Sequence, residues 1–191
     1  MENKRLLWIF IGIIVLIGLV LGYVRPRMML AEYHSEQVLE WTTYLSRKLM
    51  TLGSRYEIHS DHDELASSLQ EIRMEFRYLE MFIGHHSEKL YAISGSYNVR
   101  AELGNGFYGI WTSLQESSER LEERRPADFD ERRDKVSDEI YNLGEKMSSI
   151  VREPEASVYF GVQSLSQKQA EELNELLREA AALIEYAAGI D

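Results

Sequence analysis

The sequence of 191 residues contains no cysteine, which excludes disulfide bonds, thiol catalysis and thiolate ligation of a metal. Proline is also scarce, with three residues, so few positions interrupt a helix. Basic residues are outnumbered, since 21 Lys and Arg stand against 32 Asp and Glu and give a formal net charge of −11. Phosphate backbones repel such a chain, and we therefore predict no nucleic-acid partner.

Several motifs of enzyme active sites are missing as well. The nucleophile motif G-x-S-x-G and the phosphate-binding motif G-x-x-x-x-G-K-[ST] do not occur. No Glu is followed three residues later by a His, the pairing that a di-metal carboxylate bundle needs. These absences predict a protein that is not an enzyme and that has no catalytic residue and no cofactor.

The one long hydrophobic stretch is residues 6–24, nineteen residues without a charge. As a helix it would span about 28 Å, close to the thickness of the hydrocarbon core of a bilayer. Basic residues flank it on both sides, and Trp8 and Tyr23 lie near its ends, where aromatic rings favour the headgroup zone. The stretch predicts a transmembrane helix whose partner is the lipid bilayer.

Two alternatives to a membrane anchor fit less well. A cleavable signal peptide has an apolar region of about 7–15 residues and a small-residue cleavage site, and no A-x-A pattern precedes Ala31. The core helix of a soluble protein needs an equally apolar partner, which the rest of the sequence lacks. We therefore expect a single-pass signal anchor in the cell membrane, with the N-terminus inside and the C-terminal domain outside the cytoplasm.

The predicted organisation is a short tail at 1–5, the membrane helix at 6–24, a juxtamembrane linker at 25–29 and an acidic domain at 30–191. Beyond Arg27, 17 basic residues stand against 31 acidic ones, a net charge of −14. Apolar residues recur there at steps of three and four, the pattern of helices that pack on one another. The five stripes are Leu30, Val38, Trp41, Tyr44, Leu45, Leu49 and Leu52; Leu65, Leu69, Ile72, Phe76, Leu79, Ile83 and Leu90; Ile110, Trp111, Leu114 and Leu121; Phe129, Val136, Ile140, Leu143, Met147 and Ile150; and Leu173, Leu177, Ala180, Ile184 and Ala187.

These stripes predict an all-α fold, one transmembrane helix followed by an antiparallel bundle of about four to five helices. Residues 157–162 alone have strand-like composition. Breaks are expected at Gly53-Ser54 with the polar run 59–63, at Gly95-Ser96, at residues 104–106, at Pro126 and at Pro154. Expected helix caps are Asp61 or Asp63, Asp128 with Glu131, Ser164 with Gln167, and Gly189 at the C-terminal end.

Histidines are the candidate metal ligands. His59 and His62 with Asp61 offer nitrogen and oxygen ligands to zinc or a similar ion in one short loop. The pair His85-His86 would be about 36 Å from His62 along one helix, too far to share a site. Because the spacing is unspecific, a solvated loop with a capping aspartate is the preferred interpretation, and no metal is predicted.

Two further features bear on function. The aromatic residues Phe107, Tyr108, Trp111, Tyr159 and Phe160 flank expected helix breaks, where they either line a ligand pocket or close the end of the core. Gly18 and Gly22 have the small-xxx-small spacing that lets membrane helices pack closely.

The leading hypothesis is a membrane-anchored protein-interaction or structural module. The sequence does not identify its protein partner, and a second copy of the chain is one candidate. The alternatives are an extracytoplasmic sensory domain with an aromatic pocket, and a metal-dependent activity at the loop 59–64.

Overall fold

The structure is a computed structural model that describes residues 2–95, 98–124, 126–159 and 161–190. Its N-terminal half is dominated by one continuous helical run. This run comprises α1 (Glu2–Leu19), a π-helical segment (Val20–Val24) and α2 (Arg25–Ile58). It contains a window of mean hydropathy 2.8 with no residue buried, so that one helix near the N-terminus is long and apolar enough to cross a membrane.

The π-helical segment lies where Pro26 enters the helix. Proline lacks the N–H that would bond to the carbonyl of Gly22, and helices adjust locally at such positions. Here the Arg25 N–H donates to the Val20 carbonyl, five residues back instead of four. The chain stays helical, and the expected linker 25–29 therefore joins the apolar helix to the bundle without a break.

Four further helices follow, α3 (His62–Ser94), α4 (Val99–Glu123), α5 (Phe129–Arg152) and α6 (Gln167–Ala188). The only other regular structure in the described residues is an antiparallel hairpin of β1 (Ala156–Tyr159) and β2 (Val162–Ser164), at the stretch of strand-like composition. The predicted all-α fold is confirmed. The bundle consists of five helices, α2 to α6.

The five helices form a ring in the order α2, α3, α4, α6, α5. Neighbours in the ring run antiparallel except α4 and α6, where Gly106 meets Asn174 and Ser117 bonds to Ile184. A closed ring with an odd number of helices cannot alternate throughout. Helix α5 runs back to the end of the bundle nearest α1, and α6 begins at that end after the hairpin, so that α6 runs parallel to α4.

The interior is filled by the stripes that the periodicity predicts. Each helix buries leucine, isoleucine, valine or phenylalanine residues in one continuous core, including Leu45, Phe76, Leu114, Ile140 and Leu177. Leu30 is an exception: it is half exposed, whereas the next residue, Ala31, is fully buried, so Leu30 lies on the outer side of α2.

Several expected breaks lie inside helices instead. Gly53 is within α2, and residues 104–106 are within α4. A Cβ at Gly53 or Gly106 would stand 2.7–2.8 Å from atoms of the facing helix. These glycines therefore permit close packing of helices and do not form turns. The break at Gly95 is confirmed, since α3 ends there with φ 64°.

The helix caps are partly as expected. Asp61 caps α3 by accepting from the Asp63 N–H at 2.8 Å, and Gly189 ends α6 with φ 70°. The expected box of Ser164 with Gln167 is wrong by two residues, because β2 extends to Ser164 and the reciprocal pair is Ser166 with Gln169.

Asp128 precedes α5 but makes no cap hydrogen bond from its side chain. Instead its carboxylate accepts from Arg132 Nε at 2.7 Å, which lowers the pKa of Asp128. The expected capping box with Glu131 is therefore not formed.

Candidate functional site

The seam between α2 and α3 carries an exposed aromatic cluster, here called the aromatic surface, made of Trp41, Tyr44, Tyr78 and Phe82. Trp41 and Phe82 stack face to face across the seam, with ring centroids 4.5 Å apart and planes at 7°. Tyr44 stands edge-on to Trp41 at 6.0 Å. The exposed fractions of Tyr44, Tyr78 and Phe82 are 41%, 55% and 43%, so large apolar groups face the solvent together.

Two apolar faces on each helix explain this placement. Val38 and Leu45 on α2 point into the core, as do Leu79 and Ile83 on α3. The aromatic residues lie on the side of each helix next to its core-facing side. Their rings cover the seam between α2 and α3, and the outer edges of the rings are exposed to solvent. Contiguous exposed apolar groups of this kind mark contact sites more often than single exposed residues do.

The apolar stripe continues along α3 through Met74 and Met81, which are 51% and 57% exposed. Together with Tyr78 and Phe82 they follow helical spacing on the outer side of α3. Methionine adapts its shape to different neighbours, which is the property of residues at contact surfaces.

An ion pair borders the aromatic surface at the end away from α1. Lys48 Nζ lies 2.8 Å from Glu75 Oε1 and 5.2 Å from the centre of the Tyr44 ring. Partial burial disfavours the charge of Lys48, but hydrogen bonds to Glu75 and Tyr44 outweigh that cost and raise its pKa. The pair ties α2 to α3 and fixes the rings above it.

Shallow depressions flank the rings. One of about 550 Å³ is bordered by Glu40, Trp41, Thr43, Tyr44 and Arg47. A second of about 250 Å³ lies between Tyr44, Tyr78 and Phe82. The Trp41 Nε1–H is buried and has no hydrogen-bond partner among the described residues, which is a cost to the folded chain.

The glycine pair of the apolar helix is fully uncovered. A Cβ at Gly18 or Gly22 would meet nothing within 4 Å. The backbone at Gly18 in α1 and at Gly22 in the π-helical segment is therefore open to a close approach by another helix.

The expected pocket residues do not share one environment. Phe107 is buried in the core, whereas Tyr108 is 67% exposed, because neighbours in an unbroken helix point in different directions. Trp111 is half-buried beneath the guanidinium of Arg73, which lies 4.4 Å from its ring centre. Tyr159 ends β1, and Phe160 lies outside the described residues.

The expected metal candidates are only partly brought together. Ligand atoms of Asp61, His62 and Asp63 lie within 4.8 Å of one another at the start of α3. His59 instead faces Glu64, with 3.4 Å between Nδ1 and Oε2. Because Asp61 is occupied as the helix cap and both aspartates are exposed, the cluster is explained by capping.

Comparison of the chain with models of known protein families, with curated proteins and with solved structures finds no match.

The sequence pattern predicts the aromatic surface only in part, because it places Trp41 and Tyr44 in a core stripe. A usable signal is present in the sequence. Met74, Tyr78, Met81 and Phe82 form a second apolar stripe on α3, beside the stripe that fills the core.

Proposed function

We propose that this chain is a single-pass membrane protein without catalytic activity, which associates with a second copy of itself through Gly18, Gly22 and the aromatic surface. The observation that carries the proposal is the unbroken helix from α1 into α2. Because the helix is unbroken, the rotation of α2 about its axis is fixed relative to α1. If one face of α1 pairs with a second copy inside a membrane, a particular face of α2 is directed toward that copy outside the membrane.

Helix geometry supports the alignment of these two parts. From Gly18 to Tyr44 is 26 residues, and the π-helical segment takes up about one of them as an extra residue. The remaining rotation, at about 100° per residue, is within about 20° of seven full turns. By the same calculation, the angular position of Trp41 around the helix axis is within about 40° of that of Gly18. The bare glycines and the aromatic surface thus lie on one side of the helix.

A membrane makes such a weak contact effective. The net charge of −14 beyond Arg27 opposes association in solution, but two anchored copies share one orientation and a small volume. Around the aromatic surface the charges are mixed, since Glu40 and Glu75 alternate with Arg47 and Lys48. Local repulsion at the contact is therefore smaller than the net charge suggests.

Photo-cross-linking in membranes tests the proposal. A benzophenone amino acid replaces Tyr44 or Tyr78 in the full chain, and the control positions are Tyr141 on α5 and Tyr108 on α4. The exposed fractions of Tyr44 and Tyr141 are both 41%, so access of the probe is matched. We expect a cross-linked dimer from Tyr44 and Tyr78 and none from the controls.

Other outcomes have definite meanings. Adducts from Tyr44 with a different protein would replace self-association by docking of that protein on the same surface. Dimers from all four positions would show unspecific crowding, and no adduct from Tyr44 or Tyr78 would remove the aromatic surface from the proposal.

A further inference from the structure

A histidine pair joins α2 and α3 at the end of the bundle nearest α1. The Nδ1 atoms of His34 and His86 are 2.9 Å apart, although the residues are separated by 52 positions in the sequence. The ring of His85 lies 5.2 Å from that of His86. Tyr33 stands edge-on to both His34 and His86, at 5.1 and 5.8 Å, and holds the pair from one side.

The surroundings of both paired rings disfavour their protonated forms. Burial first, and then the neighbouring His86, His85 and Lys89, lower the pKa of His34; burial and His85 lower that of His86. Neutral imidazole is the form that ligates a metal. In the structure one ring must donate an N–H and the other must accept it with its lone pair, so the two nitrogens already point at one another.

We propose that His34 and His86 bind a divalent transition-metal ion such as zinc through their Nδ1 atoms, with His85 as the third ligand. Zinc–nitrogen bonds are about 2.0–2.1 Å, so two ligands of a tetrahedral ion are roughly 3.3 Å apart. The observed separation has to grow by only about 0.4 Å. Each ring then carries its proton on Nε2, which leaves the charge of the protein unchanged.

Access and completion of the site follow from the burial pattern. His86 is 9% exposed and His34 is half-buried, whereas His85 is exposed at the mouth of the cluster. Rotation of the His85 side chain brings its ring toward the pair, and water completes the shell. The cluster at Asp61 differs from this site, because the Asp61 carboxylate already accepts a hydrogen bond from the backbone of α3.

An ion here would act on the junction between the bundle and the apolar helix. His34 lies ten residues after Val24, about 15 Å along the helix. Binding would fasten α3 to α2 next to the aromatic surface. The inference does not depend on self-association and stands if the chain is monomeric.

Calorimetric titration of the full chain in detergent with zinc chloride tests the site. We expect one zinc ion per chain, and an affinity reduced more than about tenfold by His34→Ala or His86→Ala. The matched control is the double variant His59→Ala/His62→Ala, which removes the other histidine cluster and should leave zinc binding unchanged.

A second measurement needs no variant. Diethyl pyrocarbonate modifies accessible imidazoles, and mass spectrometry locates the modified residues. In the wild-type chain zinc should protect the accessible His34 and His85 but not His59 or His62. Absence of zinc binding, or protection confined to His59 and His62, would overturn the proposal, even where a ligand variant fails to fold.

Discussion

Replacing Gly144 by alanine should destabilise the bundle, because α5 and α2 touch through their backbones at this point. A Cβ on Gly144 would stand 2.8 Å from the Met50 N and the Ser46 O, and 2.6 Å from Met50 Cγ. Ordinary contact begins at 3.4 Å, so the two helices must separate by about 0.6 Å. The Met50 side chain can move aside, whereas the two backbone atoms cannot move without α2.

The magnitude follows from two opposing terms. Overpacking of this kind costs about 1–3 kcal/mol, with the rigid backbone contacts favouring the upper half of that range. Alanine recovers up to about 1 kcal/mol through its higher helix propensity. We therefore expect Gly144→Ala to lower the free energy of unfolding by about 1–2 kcal/mol, or the melting temperature by about 2–8 °C for a chain of this size.

Gly104 provides the matched control within α4. A Cβ at Gly104 meets nothing within 4 Å, so only the propensity term remains. Gly104→Ala should raise the free energy of unfolding by about 0.5–1 kcal/mol. Thermal unfolding of the full chain in detergent, followed by circular dichroism at the helical band, measures both variants.

The two variants must shift stability in opposite directions. If Gly144→Ala stabilises the chain as much as Gly104→Ala does, then α2 and α5 are not in backbone contact at Gly144, and the close packing of these two helices described above is wrong there. A loss of stability in Gly104→Ala would instead refute the assignment of residues 104–106 to the interior of α4.

Three further predictions concern the core, the apolar helix and the topology. The hydroxyl of Tyr56 is fully buried and has no hydrogen-bond partner among the described residues, and burial raises its pKa. Tyr56→Phe should therefore stabilise the chain by about 1 kcal/mol in the same unfolding assay. A loss of stability would instead reveal a hydrogen-bond partner such as a bound water. Cross-linking in membranes should give a dimer of the full chain, and the double variant Gly18→Ile/Gly22→Ile should cross-link less. Residues 28–191 alone should sediment as a monomer at micromolar concentration. Equal cross-linking of the wild-type chain and the double variant would remove the apolar helix from the interface. Alkaline phosphatase fused after Asp191 should be active, because we propose that the bundle lies outside the cytoplasm, and an inactive fusion with a fluorescent cytoplasmic reporter at the same site would reverse the orientation.

Local signals in the sequence account for most of the fold. The stripe from Leu65 to Leu90 predicts α3 and its buried side, since periodicity depends on neighbours within a few turns. Asp61 and Gly189 are likewise predicted from the residue types that helix ends require. The predicted breaks at Gly53 and at residues 104–106 were wrong, because these positions lie inside helices. A turn and a close helix contact both favour the residue without a side chain, so the sequence does not distinguish them.

Contacts between helices were beyond prediction, for a physical reason. The pairing of His34 with His86 depends on how far α3 is shifted along α2, and a shift of one turn moves a side chain by about 5.4 Å. That shift is set by the whole core at once and not by residues near either histidine. A single sequence therefore shows which residues bear nitrogen ligands without showing which of them meet.

The aromatic surface shows the same limit from the other side. Trp41 has the spacing of a core residue, and part of it is indeed covered, yet its ring stacks on Phe82 at the outer edge of the seam. An apolar stripe reports that a face of the helix avoids water, but it does not say whether the covering group comes from the same chain. Folding of this chain covers the inner faces of α2 and α3 and leaves their common outer edge open. That edge lies on the same side of the helix as Gly18 in α1, and for this reason we propose a second membrane-anchored copy as its occupant, since the unbroken helix would direct the approach of such a copy.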